Sequence, residues 1–156
     1  MNKQITILGL GNPLLKDDGI GLRVIEELHK AGLPNGIHAA AAGGSFYHLW
    51  DIMSESKQVI VVDALQAGGL PGTVYLLRPD EIVWEEESAI FRHEDDFFGV
   101  LDFMSYYGIR PEVIIVGIEP KEITYSLDLS PEIEMIMPMI INIVRKLILS
   151  FSVSFK

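Results

Sequence analysis

Apolar residues along this 156-residue chain follow two rhythms. Three short, mainly apolar runs, 5–8, 58–63 and 113–117, predict strands buried on both faces, as in the middle of a parallel sheet. Residues 72–77 alternate, which suits a fourth strand, and the alanine-rich 37–42 makes a weaker one. Between the runs, Ile20, Val24, Ile25 and Leu28 recur at helical spacing, as do Phe46, Leu49, Trp50 and Met53. A third helix begins near Glu94, carries Phe97, Leu101 and Met104 on one face and stops at Gly108. The last opens at Ser130-Pro131, with Ser130 as N-cap and proline in the first turn, and runs to about Leu149 with a kink at Pro138. The apolar run 135–144 is too short to span a membrane, which needs about 20 such residues, and reads as a buried helix.

Loops separate these elements at 32–36, at 43–45, where Ser45 is a helix N-cap, at 64–71, over the acidic 79–94 and at 121–129. The order is βαβαβ, then β, α, β, α. It predicts one domain over 1–156: a three-layer α/β sandwich whose mostly parallel, twisted, open sheet of about five strands is flanked by helices. The tail 150–156 is expected to fray.

Charge and cysteine count narrow the chemistry. A net charge of −10 disfavours nucleic acid and anionic membranes as partners. With no cysteine, there are no disulfides, thiolate metal sites or cysteine nucleophiles, and a metal would need His, Asp, Glu or carbonyl ligands. The first residues lead straight into a strand with no signal-peptide pattern, so the cytoplasm is the expected location.

The densest chemistry lies in the turn after the first strand, Gly9-Leu10-Gly11-Asn12-Pro13-Leu14-Leu15-Lys16-Asp17-Asp18-Gly19-Ile20-Gly21. A dinucleotide fingerprint would need a third glycine where Leu14 stands and an acid near Ala41-Ala42, and two carboxylates would repel a pyrophosphate. The carboxylates themselves are the signal. Asp63 closes the third strand, and in a doubly wound sheet the ends of strands one and three share an edge, where ligands bind. Asp18, or Asp17, should therefore face Asp63; the plainer reading of an acid at this helix start is capping and dipole compensation. His93 precedes the third helix and could be a surface residue or a third ligand; His29, near a helix end, reads as a capping or surface residue, and neither it nor His38 or His48 has an evident partner. Two carboxylates and an imidazole would make a divalent-cation site with open positions, able to polarise a carbonyl or activate water. There is no serine elbow and no zinc-protease helix motif.

Together the pieces resemble a known family. The opening turn, Gly43-Gly44-Ser45, Val61-Val62-Asp63-Ala64, Pro71-Gly72-Thr73-Val74, His93, Val116-Gly117-Ile118-Glu119-Pro120 and Leu129-Ser130-Pro131-Glu132 follow the order seen in the nickel–iron hydrogenase maturation endopeptidases. The resemblance implies a peptidase, classified as aspartic-type, that removes a C-terminal extension from the hydrogenase large-subunit precursor after nickel insertion. It implies Asp18, Asp63 and His93 as the residues that contact nickel, and no permanent cofactor; two carboxylates and one histidine without a thiolate should hold metal weakly in the free protein. Asp17 should then point away or cap the first helix. A monomer is assumed. Ala42 and Ser126 stand where the family often has an acid and a glycine, which bears on substrate choice. Peptidyl-tRNA hydrolases share the Gly-Leu-Gly-Asn-Pro opening but then need a histidine and an asparagine where this chain has Asp17-Asp18-Gly19. A non-catalytic, nickel-sensing docking module is the other alternative.

Overall fold

In a computed structural model, residues 5–42, 46–82 and 94–153 are described. Strand β1 (Ile5–Gly9) leads through the glycine-rich turn into α1 (Ile20–Ala31), then β2 (Ile37–Ala41), α2 (Phe46–Met53) and β3 (Gln58–Ala64). Next come β4 (Val74–Leu77), α3 (Glu94–Tyr106), β5 (Glu112–Ile118), α4 (Pro131–Met135) and α5 (Met137–Val153). The sheet order is β2-β1-β3-β5-β4, parallel except for β4, which pairs antiparallel with β5 at an edge. The expected adjacency of the first and third strands holds, with Gly9 opposite Val62 in the register.

Every residue of β1 and β3 is buried, because helices cover both faces of the sheet. Alternation along β3 sorts the core. Ile60 and Val62 face Ile20, Val24, Ile25 and Leu28 of α1 together with α4 and α5, whereas Val59 and Val61 face Leu49 and Met53 of α2 and Phe97, Val100 and Met104 of α3. The four apolar positions predicted for α1 are all buried. Ala39 and Ala40 of the weak second strand are half-buried, and their small side chains suit a sheet edge.

Three expectations about the C-terminal part change. The last helix is broken rather than kinked: α4 ends at Met135, Ile136 leaves helical geometry, and Pro138 sits in the first turn of α5, where its missing N–H costs nothing. The run 135–144 buries only one face, through Met137, Ile140 and Val144; Met135 and Met139 are exposed. Of the stretch 150–156, residues 150–153 complete α5 and 154–156 lie outside the described residues; Phe151 is buried against the α1 side of the sheet. Ser130 makes no side-chain cap; its hydroxyl is used elsewhere.

The turn between β1 and α1 is tight because Gly21 lets the helix press directly on the strands. A Cβ there would lie 2.3 Å from the Val62 carbonyl oxygen and 2.4 Å from that of Leu10. Gly21→Ala should therefore fail to give soluble, cooperatively unfolding protein. Gly99 on α3 offers the control: it is exposed, and a Cβ added to it would meet no atom within 4 Å. Gly99→Ala should stabilise by up to about 1 kcal/mol in thermal or urea unfolding, since alanine is the better helix former.

Candidate active site

The register brings the two predicted acids to one place. Because Gly9 pairs with Val62 and the Leu10 N–H donates to the Val62 carbonyl at 3.0 Å, the turn leaves β1 directly beside Asp63. Gly11, at φ 120°, folds between the two acids: a Cβ on it would lie 1.9 Å from the Asp18 carbonyl oxygen and 3.4 Å from Asp63 Oδ1. Only glycine fits there, by both conformation and space. The glycines of the turn thus serve close packing of backbone on backbone, with no phosphate needed to explain them.

Each acid is oriented by a backbone N–H. Asp18 is half-buried, and its Oδ2 accepts from Asn12 N at 2.8 Å across the turn. Asn12 in turn accepts from Leu14 N at 2.9 Å, a side-chain turn that shapes the bend. Asp63 is buried, and its Oδ1 accepts from Ala64 N at 2.8 Å. Asp63 also lines a small apolar cavity with Leu10, Val61, Leu65, Phe97 and Ile115. His93 lies outside the described residues, as does Ser45, so neither expectation meets an observation here. Among the described residues no three acidic or histidine side chains form a metal cluster.

Asp17 points away from this edge, the first of its two expected placements. It does not cap α1, whose N-cap Gly19 has no side-chain bond. It is 1% exposed and accepts four hydrogen bonds: Lys121 N and Glu122 N at 2.9 Å, Ser130 N at 2.7 Å and the Ser130 hydroxyl at 2.7 Å. The turn is thereby fastened to the long segment after β5. Lys16, with φ 52°, makes the sharp bend that sends Asp17 inward while Asp18 stays at the edge. Its ammonium meets Glu122 at 2.9 Å on the same segment. That hydrogen bond raises the Lys16 pKa and lowers that of Glu122, so this exposed pair weakens as acid protonates Glu122 or as alkali discharges Lys16.

Glu119, in sequence no more than the end of a strand, has a larger part. It is buried at the carboxyl end of β5 and accepts from Ala67 N at 2.8 Å, Gly68 N at 3.2 Å and the Tyr75 hydroxyl at 3.1 Å. Burial, and then this bond to Glu119, raises the Tyr75 pKa. The signal is present in the chain: an acid directly after an apolar strand, the same feature that draws attention to Asp63. His29 is exposed and bonds the Ala39 carbonyl through Nε2 at 2.9 Å, tying the end of α1 to β2.

Known proteins are similar over most of the chain. The family model for hydrogenase maturation proteases matches residues 22–147, starting just after the opening turn. The chain belongs to the hydrogenase maturation protease family. It is therefore a peptidase by family, which leaves the tRNA hydrolase and docking-module alternatives without support. The hydrogenase 2 maturation protease of Escherichia coli is 29% identical over 134 residues, 84% of this chain and 82% of that protein. HoxM, a hydrogenase expression/formation protein of Azotobacter vinelandii, is 31% identical over 76% of this chain but only 59% of its own length. Among solved structures, the hydrogenase maturating endopeptidase HybD of E. coli superposes with a TM-score of 0.81 at 28% identity, covering 90% of this chain and 89% of that one. Proteases of this family act on hydrogenase large-subunit precursors, and in this member no helix among the described residues is long and apolar enough to cross a membrane.

The Asp17 clamp gives a direct expectation. Asp17→Asn keeps the shape but turns an amide NH2 toward donors that need an acceptor, leaving buried N–H groups unpaired. It should destabilise the maturation protease by about 3 kcal/mol in urea unfolding.

Proposed function

We propose that this protease removes the C-terminal extension of a nickel–iron hydrogenase large-subunit precursor, and that it does so by recognising nickel already bound in that precursor. The observation that carries this reading is the juxtaposition of Asp18 and Asp63 around Gly11 at the carboxyl edge of the sheet. Two oxygen-donor carboxylates suit a divalent cation but leave most of its positions unfilled. His93 is the third contact in this proposal. Phe97, four residues later in the sequence, lines the same cavity as Asp63, which supports that assignment.

An incomplete ligand set discriminates by what it lacks. Alone it holds metal weakly; against a precursor that supplies the other ligands it completes the shell, so nickel-free precursor docks poorly. Asp18, Asp63 and His93 would be the ion's remaining ligands, with the scissile peptide beside them; the ion would polarise the carbonyl, and a free carboxylate oxygen would take the proton of the attacking water and pass it to the departing amine. This is an aspartic-type assignment with no resident cofactor. The enzyme acts as a monomer in the cytoplasm, and its charge of −10 argues against nucleic acid or anionic membranes as partners.

The test mixes purified protein with nickel-loaded and nickel-free precursor and follows the large-subunit mass. Loss of the extension is expected only with nickel, and Asp18→Ala, Asp63→Ala or His93→Ala should each slow it by about a hundredfold or more. Equal cutting of both precursors would overturn nickel gating; no cutting of either would overturn the activity. In calorimetric titration the free protein should bind Ni²⁺ or Zn²⁺ weakly and lose it on dialysis, and tight stoichiometric metal would argue for a resident catalytic ion.

A further inference from the structure

Acceptors outnumber donors where Asp18 and Asp63 meet. From Asn12 to Asp18 every main-chain N–H is already used. Asn12 N goes to Asp18 Oδ2, Leu14 N to the Asn12 side chain, Leu15 N to the Asn12 carbonyl and Asp18 N to the Leu15 carbonyl. The next two, at Lys16 and Asp17, bond the segment after β5, and the Lys16 ammonium goes to Glu122. Peptide hydrolysis needs the reverse. As water adds to the scissile carbonyl carbon, an electron pair moves onto the carbonyl oxygen, and donors aimed at that oxygen stabilise it.

The remaining side-chain donor of the turn is Asn12. Its own N–H touches Asp18 at 2.8 Å, so its side chain branches from a residue in contact with the acid. The Leu14 N–H, at 2.9 Å, identifies the amide oxygen and holds the side chain in one orientation. Nδ2 is thereby turned away from Leu14, and among the described residues it has no hydrogen-bond partner. The turn by itself does not call for an amide. An aspartate oxygen would accept from Leu14 as well, and a serine oxygen more weakly. A carbonyl oxygen carries two lone pairs, so one can face a cation and the other an amide N–H.

We infer that Asn12 is a further catalytic residue, whose Nδ2 donates to the scissile carbonyl oxygen of the precursor and holds the oxyanion that forms there. This rests on the precursor-processing activity proposed above. The electron pair returns as the C–N bond breaks, and the amine leaves with the proton that came from the water. Asn12 gains and loses no proton.

Two variants keep the turn and remove the donors. Asn12→Ser leaves an uncharged oxygen for Leu14 N, and Asn12→Asp a charged one. With nickel-loaded precursor, Asn12→Ser should lower kcat about a hundredfold and leave KM within about threefold. Asn12→Asp should lower kcat further, because a third carboxylate repels the oxyanion. In the enzyme alone, hydrogen exchange at Leu14 and weak Ni²⁺ binding by calorimetry should be the same in Asn12→Ser as in wild type, since Asp18 keeps its place. A kcat for Asn12→Ser within about threefold of wild type would overturn the role and leave the side chain serving the turn alone. Loss of kcat together with faster exchange at Leu14 and weaker Ni²⁺ binding would also overturn it, making Asn12 a support for Asp18. If wild-type protein leaves the precursor uncut, the proposed activity falls and this role with it, whereas variants compared with an active wild type judge Asn12 alone.

Discussion

A single buried carboxylate holds the turn at the carboxyl edge of the sheet together with the segment after β5. Asp17 lies under the segment that follows β5 and accepts three of that segment's backbone N–H groups and one hydroxyl. Taking a carboxylate out of water costs several kcal/mol, and charge-assisted bonds to fixed donors are what offset it. The arrangement ties residue 17 to residues more than a hundred positions away, so the bend at Lys16 and the outward course of Asp18 are set by contacts remote in sequence. Without that clamp, a glycine-rich turn has too much freedom to hold a side chain in one place.

Similar chemistry recurs at two other strand ends. Asp63, near the end of β3, and Glu119, just after β5, are also buried and also accept from backbone N–H groups. The outcomes differ with the direction each carboxylate faces. Asp17 faces into the fold, Glu119 faces the loop between β3 and β4, and Asp63 stands against Gly11 beside the Asp18 backbone. An open sheet concentrates such groups because its strands stop together at one edge, where loop amides lack ladder partners. Acidic side chains are suitable acceptors for those amides, and the ones left facing outward become available for a cation.

Glycine spacing is open to misreading here. Gly9 and Gly11 open like a nucleotide fingerprint, but the space around them and around Gly21 is filled by protein. Gly21 brings α1 against the carbonyls of Leu10 and Val62, and Gly11 brings the turn against Asp18 and Asp63. That close approach allows two acids separated by forty-five positions in the chain to share one small region. It is a steric condition, and any side chain at either glycine would remove it.

Period and composition alone determined the layers. Short, mainly apolar runs suit strands covered on both sides and the 20, 24, 25, 28 spacing suits one buried helical face, so the strands and helices follow locally, and a doubly wound order then puts strands one and three side by side. The pairing of Asp63 with one acid of the Asp17-Asp18 pair was likewise legible, because strand ends mark the ligand edge of such sheets; only the family resemblance pointed to Asp18. What the tertiary structure decided was direction and partnership. Asp17 and Asp18 are neighbours of the same type, and nothing local distinguishes them; the segment at 121–130 does, by supplying donors to one and not the other. Ser130 has the sequence of an N-cap, yet its hydroxyl goes to Asp17, since a buried charge is the stronger acceptor. Pro138 signals an interruption, but the place of the break at Ile136 and the burial of Phe151 depend on how α5 lies on the sheet. Hydrophobic pattern is a local property and fixes layers; hydrogen-bond partners are chosen across the fold, so they emerge only when distant segments meet.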